Sequence, residues 1–240
     1  MDMKKVFIVL VDISGYTRFI KLHKMSLCHA EGIIGQLLES VIHTSEFPMV
    51  AHELEGDSVS FYAASDGSSE MARDISQQIL RLFDAFKVKE AELLSDCSLC
   101  ICEACATVDK LKLKAVVHHG EAVFSKVGQF QKVAGVDVIQ AHRLLKNSVE
   151  EDEYILVTSA FDELTGGFDT MDAHSRQERC EGIGPVDVVV YYPESSAIDN
   201  LPIKRSVFQK LRMSMKLDLY LAKRMLKSSS KNYRNLQRDA

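Results

Sequence analysis

Two aspartates stand where a carboxylate could hold a metal ion. Asp12 directly follows the apolar run Val6–Val11, which predicts a buried strand, and Ser14–Thr17 then predicts a tight turn. Asp57 ends the stretch Glu53–Asp57, where a turn is expected between two short strands. A carboxylate at a strand end, followed by free backbone N–H groups, can hold Mg²⁺ beside a phosphate chain. Taken singly, each aspartate also suits a simple turn cap.

A second pattern with chemical meaning is a cluster of four cysteines, namely Cys97, Cys100, Cys102 and Cys105. Four thiolates this close in the chain can converge tetrahedrally on Zn²⁺ at Zn–S distances near ~2.3 Å. The short spacings favour zinc over an iron–sulfur cluster, and four reduced thiols in a loop are the alternative. A fully thiolate-ligated zinc leaves no position for water, so we expect a structural site.

The elements that must position these residues mix helices and strands along the chain. Helical spacing of apolar residues covers 33–42, 71–86 and 136–145, and short apolar runs predict strands over 6–11, 111–117, 154–157 and 186–192. We expect the 111–117 strand to break at Gly120. These elements predict an α+β fold with one sheet. A composition of 46% hydrophobic and 26% charged residues excludes a disordered chain.

Charge divides the sequence into two parts. Residues 201–240 carry 11 Lys/Arg against 2 Asp, a net of +9, so the first 200 residues carry −14. We expect an acidic domain over 1–200, with the cysteine cluster as an insert at 95–108, and a basic amphipathic helical tail over 201–240. The tail suits an anionic membrane surface, an acidic partner or the acidic domain itself. Nucleic acid is not expected as a partner, because the acidic domain would repel phosphates.

The sequence contains no apolar run of ~20 residues that could span a membrane, and its first residues do not resemble an export signal. A cytoplasmic location is therefore expected, with peripheral membrane attachment through the tail left open.

Four motifs follow one another between Val6 and Tyr192. They are the opening stretch Val11–Phe19, the hairpin Glu53–Asp57, the strand Leu113–Gly120, and Gly135 followed eight residues later by Arg143. In this order they resemble the catalytic domain of class III nucleotidyl cyclases. The resemblance implies a ferredoxin-like, cyclase-type single mixed sheet with helices on one face. It also implies a head-to-tail homodimer with nucleoside triphosphate sites at its interface.

The resemblance also implies roles for particular residues. Asp12, Asp57 and the carbonyl of Ile13 match the ligands of two Mg²⁺ or Mn²⁺ ions. Lys114 stands where many members have a phosphate-binding arginine, and Arg143 matches the transition-state arginine. The turn residues Gly15, Tyr16 and Thr17 match the part of the motif that contacts the nucleotide.

Two positions depart from the family pattern. Ile139 replaces the asparagine expected four residues before Arg143, and Ile183 replaces the late phosphate-binding lysine. Loss of one well-placed donor to developing charge typically costs ~10²–10³ in rate. Gln140 could substitute if the helix register differs by one residue. We therefore expect a nucleotide-binding protein with reduced or lost cyclase activity. An active nucleotidyl cyclase and a zinc-stabilised scaffold with a vestigial pocket are the alternatives.

Recognition of the base depends on two residues of opposite charge. Glu53 occupies the position that reads the purine, and a carboxylate there can accept hydrogen bonds from guanine. Lys132 occupies the partner position. The pair favours GTP, unless Glu53 and Lys132 simply close the pocket as an ion pair.

Overall fold

The computed structural model describes residues 2–22, 27–96, 103–169 and 171–193. The predictions for Cys97, Cys100 and Cys102 and for the basic tail therefore lie outside the described residues. The domain boundary expected between 1–200 and 201–240 also lies outside the described residues and stays a prediction.

Within the described ranges, eight strands form one mixed sheet. They are β1 (Asp2–Ser14), β2 (Val50–Glu55), β3 (Ser58–Ala64), β4 (Lys112–Val127), β5 (Phe130–Ala134), β6 (Tyr154–Thr158), β7 (His174–Cys180) and β8 (Gly184–Tyr191). The strand order is β2-β3-β1-β4-β6-β8-β7, and β5 pairs with β4 outside this path. Only β4 and β6 run parallel among the described pairs. β1 is central, which explains why its run Val6–Val11 is apolar at every position.

The helices are α1 (Tyr16–Leu22), α2 (Leu27–Thr44), α3 (Ser69–Asp96), α4 (Glu103–Ala106), α5 (Val136–Leu144) and α6 (Ser159–Thr165), with a 3₁₀ turn at Val108–Lys110. Because successive strand residues point to opposite faces, β1 supplies two cores. Phe7 and Val9 pack with the apolar sides of α2, α3 and α6. Ile8 and Leu10 pack on the other face with α5. The predicted fold class, α+β with one mixed sheet, is confirmed.

Some elements differ from the sequence prediction. β4 does not break at Gly120 but continues to Val127, and the backbone of Gly120 lies against the side chain of Asp137 at the start of α5. A Cβ at this position would collide with that carboxylate, so glycine here permits a close helix-to-strand approach rather than ending the strand. The strands β5 and β7 and the helix α6 were not predicted. No described helix is both long and apolar enough to cross a membrane.

Candidate functional site

The β-strand register brings Asp12 and Asp57 together. Asp12 near the end of β1 pairs across the sheet with Ser58, the residue that follows Asp57. The Ile13 amide donates a hydrogen bond of 3.2 Å to the Asp57 carbonyl, which fixes the hairpin turn against β1. Gly56 in that turn has φ +61°, a conformation that glycine adopts without strain. Two aspartates 45 positions apart in the sequence are thereby held side by side.

The two carboxyl groups are close enough to interact directly. Burial, then the negative charge of Asp12 and a hydrogen bond with its side chain, raise the pKa of Asp57 to about 6. The nearby Lys114 ammonium and a backbone hydrogen bond act in the opposite direction. A pair of carboxyls that resists double ionisation is a place where added positive charge is favourable.

Lys114 supplies one positive charge at this place. It pairs directly with Asp12 in the β1–β4 register, and its Nζ lies 2.9 Å from Asp12 Oδ2. Each side chain is only about one-fifth exposed, with 19% for Lys114 and 18% for Asp12. Burial alone would lower the pKa of Lys114, but the hydrogen bond and charge of Asp12 raise it overall, so the ammonium form is stabilised.

The turn after β1 lies beside the carboxylates. Gly15 has φ +86°, and a Cβ there would lie 3.0 Å from the Lys110 carbonyl, so both conformation and space require glycine. The half-buried Tyr16 donates a hydrogen bond of 3.2 Å to Glu31. Burial first, then Glu31 and, least, Asp57 raise the pKa of Tyr16. Thr17 is exposed in α1.

Arg143 does not join this group within one chain. Its Nη1 lies 2.7 Å from Glu181 Oε2 in the turn between β7 and β8. In the sheet, β4 and β6 separate β1 from β8. The nearby position Ile139 is 53% exposed on α5, and Ile183 is partly buried in the same turn as Glu181. Arg143, which was expected to face the phosphates, therefore lies beside the β7–β8 hairpin of its own chain, at one edge of the sheet.

The two residues predicted to read the base also remain apart. Glu53 is exposed on the edge strand β2, and Lys132 is exposed on β5, which extends from the far end of β4. Across the described residues no ion pair joins them, so the alternative of a closed Glu53–Lys132 pair has no support there.

Sequence reasoning missed the surroundings of Lys114. Tyr154, the first residue of β6, pairs with Lys114 in the parallel register and is 3% exposed. Its hydroxyl accepts a hydrogen bond of 2.8 Å from the Asn147 side chain. In the sequence, Tyr154 is only an aromatic residue at the start of an apolar strand. Its position beside Lys114 becomes evident only when β4 is known to be the partner strand of β6.

The donor set suits a hard divalent cation. Two carboxylates and the Ile13 carbonyl could supply oxygen ligands, and Mg²⁺ commonly takes one or two carboxylates and completes its shell with water and phosphate oxygens. Among the described residues no group of three or more His, Cys, Asp or Glu side chains converges as a metal site. Of the cysteine cluster the structure describes Cys105, which is buried in α4.

The fold is that of class III cyclase catalytic domains. The adenylyl cyclase CyaB from P. aeruginosa superimposes with a TM-score of 0.61 at 16% identity, over 81% of this chain and 97% of that one. The guanylate cyclase domain of RhGC from Catenaria anguillulae, solved in complex with GTP, gives a TM-score of 0.58 at 11% identity, over 80% and 98%. Identities this low show the fold, which confirms the likeness expected from the motifs.

A family model described as "Protein of unknown function (DUF2652)" matches residues 34–154, about half of the chain, and the chain belongs to that family. The uncharacterized protein Rv2561/Rv2562 of Mycobacterium tuberculosis is 37% identical over 125 residues. That match covers 52% of this chain and 57% of the relative, so the likeness spans little more than half of each protein.

Proposed function

We propose that this protein binds a nucleoside triphosphate together with a divalent metal at a homodimer interface and turns it over slowly or not at all. The observation that carries the proposal is the cluster of Asp12, Asp57 and Lys114, two interacting carboxylates with an ammonium 2.9 Å from one of them. The matching cyclase fold, including a domain whose structure was solved with GTP, supports the ligand class.

In this proposal Asp12, Asp57 and the Ile13 carbonyl hold Mg²⁺ or Mn²⁺, two ions per site. The bound cations would neutralise the triphosphate and favour ionisation of the ribose 3′-hydroxyl. Lys114 binds the phosphates, and the turn Gly15–Thr17 presents backbone to them. Phosphoryl transfer depends mainly on such positioning and charge compensation, which these residues can supply.

The position of Arg143 supports a homodimer. Arg143 pairs with Glu181 in the β7–β8 hairpin of its own chain, as expected of an arginine that reaches a triphosphate bound to a second copy. Exposed apolar side chains on α5 and on the β4–β5 hairpin would leave water if a second copy covered them, which would favour such an interface. They are Val127 at 62%, Phe130 at 68%, Val136 at 69% and Ile139 at 53% exposed.

Reduced turnover follows from Ile139 and Ile183, which cannot donate hydrogen bonds to developing charge. The alternative, an active cyclase with a preference for GTP, would rely on Arg143 and Lys114 alone, with Glu53 and Lys132 reading the base. Incubation of the protein with each of the four triphosphates and Mn²⁺, followed by mass spectrometry, separates the two. Robust cyclic product that Asp57→Ala abolishes and Glu55→Gln, in the same hairpin, retains would establish the alternative.

A vestigial pocket is the remaining alternative, and thermal unfolding tests it. A triphosphate at 100 times its dissociation constant should stabilise the protein by ~2.7 kcal/mol. An unchanged melting temperature in the presence of Mn²⁺ and any of the four triphosphates would favour the scaffold.

The cysteine cluster is proposed to hold one structural Zn²⁺ through Cys97, Cys100, Cys102 and Cys105. Metal analysis of the purified protein should give about one zinc per chain. A Cys100→Ser/Cys102→Ser double variant that keeps its full zinc content would contradict this assignment, because two of the four thiolates would be missing.

The basic segment 201–240 is proposed to engage an anionic membrane, an acidic partner or the acidic domain of the dimer. Deletion from Leu201 should reduce liposome flotation or dimerisation. If both stay unchanged, neither membrane binding nor a contact within the dimer holds for this segment.

A further inference from the structure

Lys114 and Asp12 form an ion pair at the place proposed for the metal. The Lys114 Nζ to Asp12 Oδ2 distance is 2.9 Å, and both side chains are more than four-fifths buried. The two residues are directly opposed in an antiparallel pair, so the backbone itself directs their side chains to one another.

Tyr154 flanks Lys114 on the strand opposite to Asp12. It pairs with Lys114 in the β4–β6 register, and the phenol and the ammonium interact electrostatically. Asn147 fixes Tyr154, because its Nδ2 donates both to the Tyr154 hydroxyl and to the Leu144 carbonyl at 2.8 Å. Lys114 is therefore bounded by a carboxylate on one side and by an anchored aromatic ring on the other.

We propose that Lys114 is an internal counter-ion that competes with the divalent metal for Asp12, and that a triphosphate relieves this competition by offering Lys114 its phosphate oxygens. This inference rests on the proposed function and adds a coupling between its two ligands. Tyr154 is the positioning residue that holds Lys114 against Asp12.

Simple electrostatics gives the direction of the coupling. A divalent cation on Asp12 and Asp57 lies beside the Lys114 ammonium, and like charges this close repel. A triphosphate supplies several anionic oxygens, which form strong charge-assisted hydrogen bonds with an ammonium. Metal alone therefore binds weakly, and metal with triphosphate binds tightly. Because coupling between two ligands is reciprocal, the metal strengthens triphosphate binding by the same factor.

The test measures Mn²⁺ affinity from the electron paramagnetic resonance signal of free Mn²⁺, using the full chain with and without a non-hydrolysable GTP analogue, and the Mn²⁺ that the analogue binds in a protein-free sample is subtracted. In the wild type we expect the analogue to tighten Mn²⁺ binding by ~5–150-fold, the usual range of such couplings. Lys114→Met should bind Mn²⁺ alone about ten times more tightly than the wild type, and the analogue should tighten its Mn²⁺ binding by a smaller factor than in the wild type, because only the direct contact between metal and phosphate remains. Lys114→Arg keeps the positive charge and should keep the coupling. Lys126→Met, on an exposed part of the same strand, is the control and should behave as the wild type.

Tyr154→Phe keeps the ring but removes the hydroxyl that Asn147 holds. It should shift Mn²⁺ affinity in the direction of Lys114→Met by a smaller factor, whereas a merely structural role would leave affinity unchanged and alter only the melting temperature.

The two proposals fail differently. If the wild type binds Mn²⁺ in the presence of the analogue but Lys114→Met binds Mn²⁺ alone no more tightly than the wild type, the counter-ion role is wrong and the proposed function stands. If neither protein binds Mn²⁺ more tightly than Asp57→Asn under any condition, both are wrong.

Discussion

The surroundings of Asp12 and those of Arg143 differ in the polar groups that they bring together. Around Asp12 the strand register gathers Asp57 and Lys114, and burial shifts the pKa of Asp57. Arg143 instead makes an exposed ion pair with Glu181, and Ile139 nearby is apolar. In the proposed function, the half of the site that would bind metal is built into one chain, and the half that would stabilise developing charge has lost polar groups. We therefore expect that binding and turnover can be changed separately.

Restoring polar groups beside Arg143 is expected to have the largest effect. Ile139→Asn and Ile183→Lys should each raise formation of cyclic nucleotide by up to ~10²–10³-fold, because each returns a donor to developing charge. Quantitative mass spectrometry of the product measures this. Val136→Asn, at another exposed position of α5, should give no increase. A double variant as slow as the wild type would show that these two positions do not limit turnover.

Removal of a carboxylate tests the other half. The wild type should gain ~2.7 kcal/mol of stability from Mn²⁺ and a triphosphate at 100 times the dissociation constant, and Asp12→Asn should gain almost none. Differential scanning fluorimetry measures both. Asp84→Asn, exposed on α3 against the opposite face of the sheet, should respond as the wild type. If Asp12→Asn is stabilised as strongly as the wild type, the metal does not bind at Asp12.

His118 permits a pH test of the stability of the fold around β4, the strand that carries Lys114 and packs against the helix of Arg143. It is 5% exposed, its Nδ1 lies 2.7 Å from Thr158 Oγ1, and burial lowers its pKa although Asp137 acts to raise it. As the pH falls, the imidazole of His118 is protonated at a higher pH in the unfolded chain than in the folded one. The stabilising effect of neutral His118 is therefore present above pH ~6.5 and is lost as the pH falls.

Urea unfolding at several pH values should therefore show a steeper loss of stability below pH ~6.5 in the wild type than in His118→Gln. One proton contributes a slope of at most ~1.4 kcal/mol per pH unit. His119 is present in both proteins, and since His118 contributes to lowering the pKa of His119, replacement of His118 reduces the slope from His119 in the same direction. Parallel curves for the two proteins would mean that His118 does not titrate differently on unfolding.

The smallest expected effect belongs to the ion pair between Arg143 and Glu181. Both side chains are exposed, with 46% for Arg143 and 87% for Glu181, and exposed pairs typically contribute ~0.2–1 kcal/mol. Glu181→Ala should change the free energy of unfolding within that range and leave Mn²⁺ binding intact. A loss of Mn²⁺ affinity in Glu181→Ala would mean that the Arg143 region and the Asp12 region of one chain are coupled.

The sequence predicted the parts of the site that depend on local pattern. The apolar run before Asp12 and the glycine turn before Asp57 define a strand and a hairpin, and both are present. The neighbours of Lys114 could not be predicted, because Tyr154 reaches it through a parallel pairing that depends on the whole sheet. β7 was missed because it is an edge strand whose sequence, His174–Cys180, is mostly polar and exposed. Gly120 was misread because the sequence does not reveal that a helix packs against it.

The central claim is that Asp12 and Asp57 together bind a divalent cation, and a direct titration of the protein with Mn²⁺ in the presence of a non-hydrolysable triphosphate tests it. We expect saturable binding that Asp12→Asn and Asp57→Asn each weaken by at least about tenfold, a loss of ~1.4 kcal/mol, while Glu55→Gln leaves it unchanged. Equal Mn²⁺ affinity in all four proteins would contradict the claim.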